Sequence, residues 1–193
     1  MMRIITGTAR GVRLDTLPGD NTRPTSERAK EAVFSMLQFE LRNARVLDLF
    51  AGSGQMGLEA LSRGASEAVF CDASREAVRV VEKNLIKTRL ALHGEVLCMD
   101  YERALQGMRR RKVFDLVFLD PPYALGALPK ALRHLVEGGL LSPNAKIVCE
   151  SGAPEDVFAG NEELASRFEV LRTAKYGVAY VTVLQCAACR EEA

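Results

Sequence analysis

RVLDLFAGSGQMGLEALSRG, residues 45–64, decides how this chain folds. It opens with an apolar run of strand length and stops in a turn holding Gly52 and Gly54. From Gln55 it resumes with apolar residues at the spacing of a helix, which Gly64 closes. A strand delivered through glycine into a helix is the first half of a β-α-β unit, and its turn is where a ligand can approach bare backbone.

Outward from this stretch the alternation continues. SEAVFCD (66–72) reads as a strand and SREAVRVVEKNLIKTRLAL (74–92) as a helix capped by Ser74, with Ala77, Val81, Asn84 and Leu85 at helical spacing. EVLCMD, a helix around YERALQGMRRR, KVFDLVFLD, a helix around LPKALRHLVEGG, and NAKIVCES complete five β units in series. The pattern predicts an α/β fold with a Rossmann-like, mostly parallel sheet. RFEVLRTAKYGVAYVTVLQC (167–186) breaks it: two strand-like runs meet at Lys175-Tyr176-Gly177, which predicts a hairpin and an antiparallel C-terminal strand. Before the alternation begins, RIITGTARGVRLDTLP (3–18) is two extended runs about a Gly/Arg turn, and TSERAKEAVFSMLQFEL (25–41) a helix capped by Thr25 or Ser26. Residues 1–43 are thus expected to be an N-terminal β-hairpin and helix, appended to a main unit at 44–193 in one compact whole.

At 193 residues, 48% apolar and 26% charged, the chain has the make-up of an ordinary soluble globular protein with one core. Its apolar runs are far short of the ~20 residues a membrane helix needs. MMRIITGTARGVR lacks the apolar core and cleavage site of a signal peptide, which predicts a cytoplasmic protein. Of five cysteines, Cys71, Cys98 and Cys149 sit inside apolar runs, where cysteine behaves as a small buried hydrophobe. Cys186-Ala-Ala-Cys189 has neither a second pair nor a neighbouring histidine to complete a zinc shell, so no metal is expected. The net charge of +1 hides a local excess of +3 over residues 1–45, carried by arginines such as Arg3, Arg10, Arg13 and Arg23, which is a possible footprint for phosphate.

The turn after the first strand admits two ligands. Gly52, Gly54 and Gly57 match G-x-G-x-x-G, and Asp72 follows at the end of the second strand, where a ribose is held in NAD enzymes. Asp48 tells against a dinucleotide, because a carboxylate facing the same crevice repels a pyrophosphate by several kcal/mol in a partly dry site. S-adenosylmethionine (SAM) brings instead an ammonium and a sulfonium cation, which a carboxylate favours. The alternative is that Asp48 merely caps the loop. On the SAM reading the loop from Phe50 through Gly52, Ser53 and Gly54 lies along the cofactor and Asp72 accepts both ribose hydroxyls. Asp100 accepts from the adenine amine, and the Tyr101 amide donates to a ring nitrogen.

The fourth strand ends in Asp120-Pro121-Pro122-Tyr123. VLDLFAGSG, FCD and LDPPY, in this order, resemble the class I SAM-dependent methyltransferase fold, and the last motif resembles the signature of enzymes that methylate exocyclic amines of nucleobases. Such an amine is a poor nucleophile because its lone pair is delocalised into the ring. Asp120 can accept one of its protons and a carbonyl of Pro121-Pro122 the other, orienting the nitrogen for in-line attack. Proline locks φ, so that acceptor cannot swing away, and Tyr123 offers a ring face to an extruded base.

Taken with MRIITGTARGVRLDTLP and RPTSERAKEAVFSML, the chain resembles over essentially its whole length the RsmD family of bacterial 16S rRNA guanine-N2 methyltransferases. The resemblance implies that Arg10, Arg13 and the Arg23-Pro24-Thr25 segment flank the mouth of the site, with Arg23 and Thr25 against the cofactor and Arg10, Arg13 and Arg23 against RNA. It also implies a 16S rRNA partner in the small subunit or an assembly intermediate, served by a monomer without a metal or a membrane. Asp72 departs from the family, where Glu is frequent; this shortens the reach to the ribose and keeps the chemistry. An adenine-N6 or cytosine-N4 methyltransferase shares the Asp-Pro-Pro-Tyr motif, but no region is large enough for a DNA-recognition domain. A non-catalytic rRNA-binding assembly factor stays open.

Overall fold

The computed structural model describes residues 2–17, 24–122 and 126–187, with the side chains of residues 24–27 outside that description. Seven strands, β1 (Arg45–Asp48), β2 (Glu67–Asp72), β3 (Gly94–Cys98), β4 (Phe114–Leu119), β5 (Leu141–Ser151), β6 (Phe168–Tyr176) and β7 (Ala179–Cys186), form one sheet in the order β3-β2-β1-β4-β5-β7-β6. β1 to β5 pair in parallel, and β7 runs antiparallel to both β5 and β6. The order reverses at β1, which lies between β2 and β4, so a crevice opens beyond the carboxyl ends of β1 and β4. The helices are α1 (Pro24–Met36), α2 (Gln55–Ser62), α3 (Arg75–Thr88), α4 (Tyr101–Met108), α5 (Ala127–Glu137) and the single turn α6 (Glu162–Ala165). No helix among the described residues is long and apolar enough to cross a membrane.

Period-two alternation splits the strands between two cores. Val46, Phe70, Leu116 and Phe118 join Phe34 of α1, Leu58 of α2, Val81 and Leu85 of α3 and Ile4 on one face. Leu47, Val69, Cys71, Val117 and Leu119 join Leu105 of α4 and Leu132 and Leu135 of α5 on the other. Burial on both faces is why the strands read as unbroken apolar runs. Cys98 departs from its expected burial: it ends the edge strand β3 and is exposed. Cys189 lies outside the described residues.

The N-terminal segment forms a hairpin with an antiparallel bridge between Arg3 and Arg13, the amides of Ile4 and Leu14 donating to the carbonyls of Val12 and Met2, both at 3.0 Å. It docks on α2 through Glu59, a fully buried carboxylate that accepts from the amides of Ile5 (2.8 Å) and Thr6 (3.0 Å) and from Arg63 Nε (2.8 Å). Lys30 Nζ of α1 stands 3.9 Å from the same carboxylate and donates to the Arg3 carbonyl at 3.0 Å. The expected extension at 1–43 therefore shares one core, and one buried ionic hub, with the sheet.

Two helix ends move relative to expectation. α1 begins at Pro24, ahead of the expected cap, since proline lacks the N–H that a first helical turn leaves unpaired. It stops at Met36 rather than Leu41. The chain must turn back to enter β1, and Asn43, at φ 61° with its amide donating to the Gly64 carbonyl at 2.8 Å, steers it there.

Candidate active site

The glycine turn is built by packing as much as by ligand approach. Gly52 and Gly54 take positive φ of 53° and 76°, the left-handed conformation that favours glycine. Gly57, inside α2, serves a different need: a Cβ there would stand 2.3 Å from the Phe70 ring, so its absence lets α2 lie directly on β2. The Asp48 carboxylate, 4% exposed, accepts the Gly57 amide at 2.9 Å and ties the first turn of α2 to the end of β1. Burial pushes this carboxyl up to about 7. A raised folded-state pKa means that the folded protein holds the proton more tightly, so stability falls as pH rises from about 4 to about 7. Chemical denaturation of Asp48→Asn across this window is expected to lack that slope, on the order of a few kcal/mol in wild type; an unchanged slope would assign it to another group.

A cleft of about 570 Å³ opens at the carboxyl ends of β1 to β4. Asp72, at the end of β2, lines it with one carboxylate oxygen accepting the Gly52 amide at 2.9 Å and the other the Ser74 amide at 2.8 Å. Each oxygen keeps a lone pair for a further donor. Asp100 also lines it, capping α4 through Oδ1 with bonds from the amides of Glu102 (2.9 Å) and Arg103 (3.4 Å), not from that of Tyr101. Phe50 and Tyr101 stand on the wall with ring centroids 5.2 Å apart. The Tyr101 hydroxyl donates to Glu102 at 3.0 Å; burial and this neighbouring carboxylate push its pKa upward, so it stays protonated. Gly52 borders the cleft, and a Cβ there would meet nothing within 4 Å. On the opposite side the cleft is closed by Asp120, Pro121 and Pro122, of which Pro121 is buried while Asp120 and Pro122 are exposed.

Three residues expected along the cofactor are not among those lining this cleft. Asp48 lies beneath the loop and is not among the residues lining the cleft. Ser53 is 5% exposed, its hydroxyl donating to Met2 Sδ at 3.1 Å and its carbonyl accepting from Asn84 Nδ2 at 2.9 Å. Gly54 backs onto Val81, whose methyls would lie 3.2 and 3.3 Å from an added Cβ. A left-handed turn has an inside and an outside, and Ser53 and Gly54 fall on the side that packs. Arg23, Tyr123 and the side chain of Thr25 lie outside the described residues.

The structure also adds residues. Leu17, Leu49, Ala73 and Met99 line the cleft, and nothing in their types could have signalled it. Asn84, fully buried in α3, accepts the Asp15 amide (2.8 Å) and donates to the carbonyls of Asp15 (3.0 Å) and Ser53. It thereby joins the N-terminal arm to the glycine loop. Lys83 and Lys87 clamp the Asp15 carboxylate at 2.6 and 2.8 Å and hold its pKa down at about 2. Arg10 and Arg13 are exposed on the hairpin, and Arg3 is exposed opposite Arg13 across the bridge.

A family model described as conserved hypothetical protein 95 matches residues 2–185. The YlbH protein of Bacillus subtilis is 40% identical over 77% of this chain and 82% of its own. Ribosomal RNA small subunit methyltransferase D of Haemophilus influenzae is 36% identical over 78% of each chain. The solved structure of the Escherichia coli yhhF protein superposes with a TM-score of 0.84 at 31% identity, covering 97% of this chain and 98% of that one.

Proposed function

Because the chain belongs to the family described as conserved hypothetical protein 95, the RsmD family, we propose that this SAM-dependent rRNA methyltransferase acts on the exocyclic N2 amine of a guanine in 16S rRNA. The observation that carries this reading is that Asp120, Pro121 and Pro122 line the same cleft as Asp72 and Asp100. The acceptor side of a methyl transfer thus faces a set of groups suited to an adenosyl moiety.

SAM, when bound, supplies an electrophilic methyl on a sulfonium. The residues present fit it: Asp72 offers two oxygens to two ribose hydroxyls, Gly52 leaves backbone open, and the Phe50–Tyr101 wall gives the adenine an apolar surface. Asp100 Oδ2, which the helix cap does not use, would accept from the adenine amine, and the Tyr101 amide would donate to a ring nitrogen. Asp120 accepts one proton of the guanine amine and the Pro121 carbonyl the other. Together they would hold the nitrogen lone pair toward the cleft and stabilise the positive charge that grows on nitrogen as its bond to the methyl forms and the methyl–sulfur bond breaks, the surplus amine proton leaving toward Asp120.

Methyl transfer from labelled SAM to 16S rRNA, naked and in small-subunit particles, followed by mass identification of the modified nucleoside, tests the reading. N2-methylguanosine is the expected product; a different methylated base, or none on either substrate, overturns it. RNA meets the protein at the hairpin in this reading, in the cytoplasm. Substituting Arg3, Arg10 or Arg13 by alanine is expected to reduce the slope of log affinity against log salt by roughly 0.7–0.9 for each phosphate the variant no longer neutralises. A slope that does not change in any of the three would give the hairpin a structural role only.

A further inference from the structure

The Asp-Pro-Pro turn has a second side. Away from the cleft, Pro121 and Pro122 also border a pocket of about 110 Å³ with Glu150 and the first turn of α5. A smaller cavity of about 50 Å³ is lined by both Asp120 and Glu150. Sheet register brings this about: the Leu119–Cys149 pair is the last of the β4–β5 ladder, so Asp120, just past the end of β4, comes beside Glu150, which β5 still carries paired with Val181 of β7. The wall behind Glu150 is set by local bonds, with the Ser151 hydroxyl donating to the Ala153 carbonyl at 2.8 Å and the Ala153 amide donating to Asp156 at 2.9 Å.

We propose that Glu150 is the specificity-determining residue that selects guanine, accepting the N1–H of the target base while Asp120 and the Pro121 carbonyl hold its N2 amine. The inference rests on the guanine-N2 reading and extends it from the amine to the base. Guanine's edge presents the N2 amine, then the N1–H, then the O6 acceptor. Once the amine is held at the Asp-Pro-Pro turn, the N1–H lies at the next ring position along the edge, toward the neighbouring strand. A carboxylate there accepts it. Adenine carries an unprotonated N1, whose lone pair would face that carboxylate. The first turn of α5, where the N-cap Gly126 has no side chain to cap it, borders the same pocket, and the amides of Ala127 and Leu128 are donors of the kind O6 accepts.

RNA in which the modified guanine is replaced by 2-aminopurine keeps the 2-amine but presents an N1 lone pair in place of the N1–H. Wild type is expected to prefer guanine over 2-aminopurine by roughly 10- to 100-fold in kcat/KM, the range of one well-placed base-edge pairing. Glu150→Gln, whose amide can donate to that N1, is expected to bring the ratio to within about threefold. Glu150→Ala is expected to lose the preference without gaining activity on 2-aminopurine. A guanine preference that survives unchanged in both variants overturns the proposal, because a structural role lowers both substrates together. Failure of wild type to form N2-methylguanosine at all overturns the underlying reading and this one with it; wild type alone tells the two failures apart.

Discussion

Asp120→Ala is expected to lower single-turnover methyl transfer by roughly 100- to 1000-fold, the usual cost of removing one group aimed at developing charge, while SAM affinity stays within about a factor of two. In the proposed reaction the nucleophile is weak, and the variant would deprive it of the acceptor proposed to turn its lone pair toward the methyl. The cofactor loses little, because the groups proposed to hold it, Asp72, Asp100 and the Phe50–Tyr101 wall, sit on β1 to β3 and the loops after them. Asp120→Asn, which retains one acceptor oxygen, is expected to recover part of the loss. Single-turnover rates read against calorimetric SAM titrations separate the two effects. A rate within about tenfold of wild type would remove Asp120 from the chemistry, and a parallel loss of SAM binding would make it a cofactor residue instead.

The largest effect on stability is expected at Glu59. Its carboxylate is fully buried and serves the amides of Ile5 and Thr6, Arg63, and Lys30 at 3.9 Å. In Glu59→Ala, two backbone donors lose their acceptor and the Lys30 ammonium, itself 2% exposed, loses this counter-charge. Breaking a buried pair by deleting one partner costs about 3–5 kcal/mol. That is a large share of the roughly 5–15 kcal/mol that holds a domain together. Urea denaturation is the measurement. The loss is expected to come with early proteolysis at the N-terminus, because the same carboxylate fixes the hairpin. A loss below about 1 kcal/mol would mean that packing alone docks the arm.

These two residues were not equally visible in the primary structure. Asp120 announced itself, since a carboxylate followed by two prolines at a strand end is rare and its chemistry follows from residue type. Glu59 reads as one more polar position on a short amphipathic helix, and only the approach of a hairpin more than fifty residues away in sequence makes it a buried hub. Spacing alone puts Asn84 on the apolar side of α3. Its use as a bracket between Asp15 and Ser53 required two loops to arrive beside it. Glu150 sat in a plain strand ending, IVCES, with nothing to tie it to Asp120 until strand pairing set them next to each other.

By itself the sequence determined the alternation of strands and helices, the closing hairpin and the acids at the strand ends. Those follow from local periodicity, glycine punctuation and residue chemistry, all of which act within a few residues. Tertiary structure alone decided that Asp48, Ser53 and Gly54 serve the underside of the glycine turn while Gly52 and Asp72 face the cleft. It also decided that the N-terminal arm shares the main core and that Asp120 comes beside Glu150 of the next strand. The side of a turn that meets solvent is set by what packs on the other, and residues distant in sequence become neighbours only through sheet order and register.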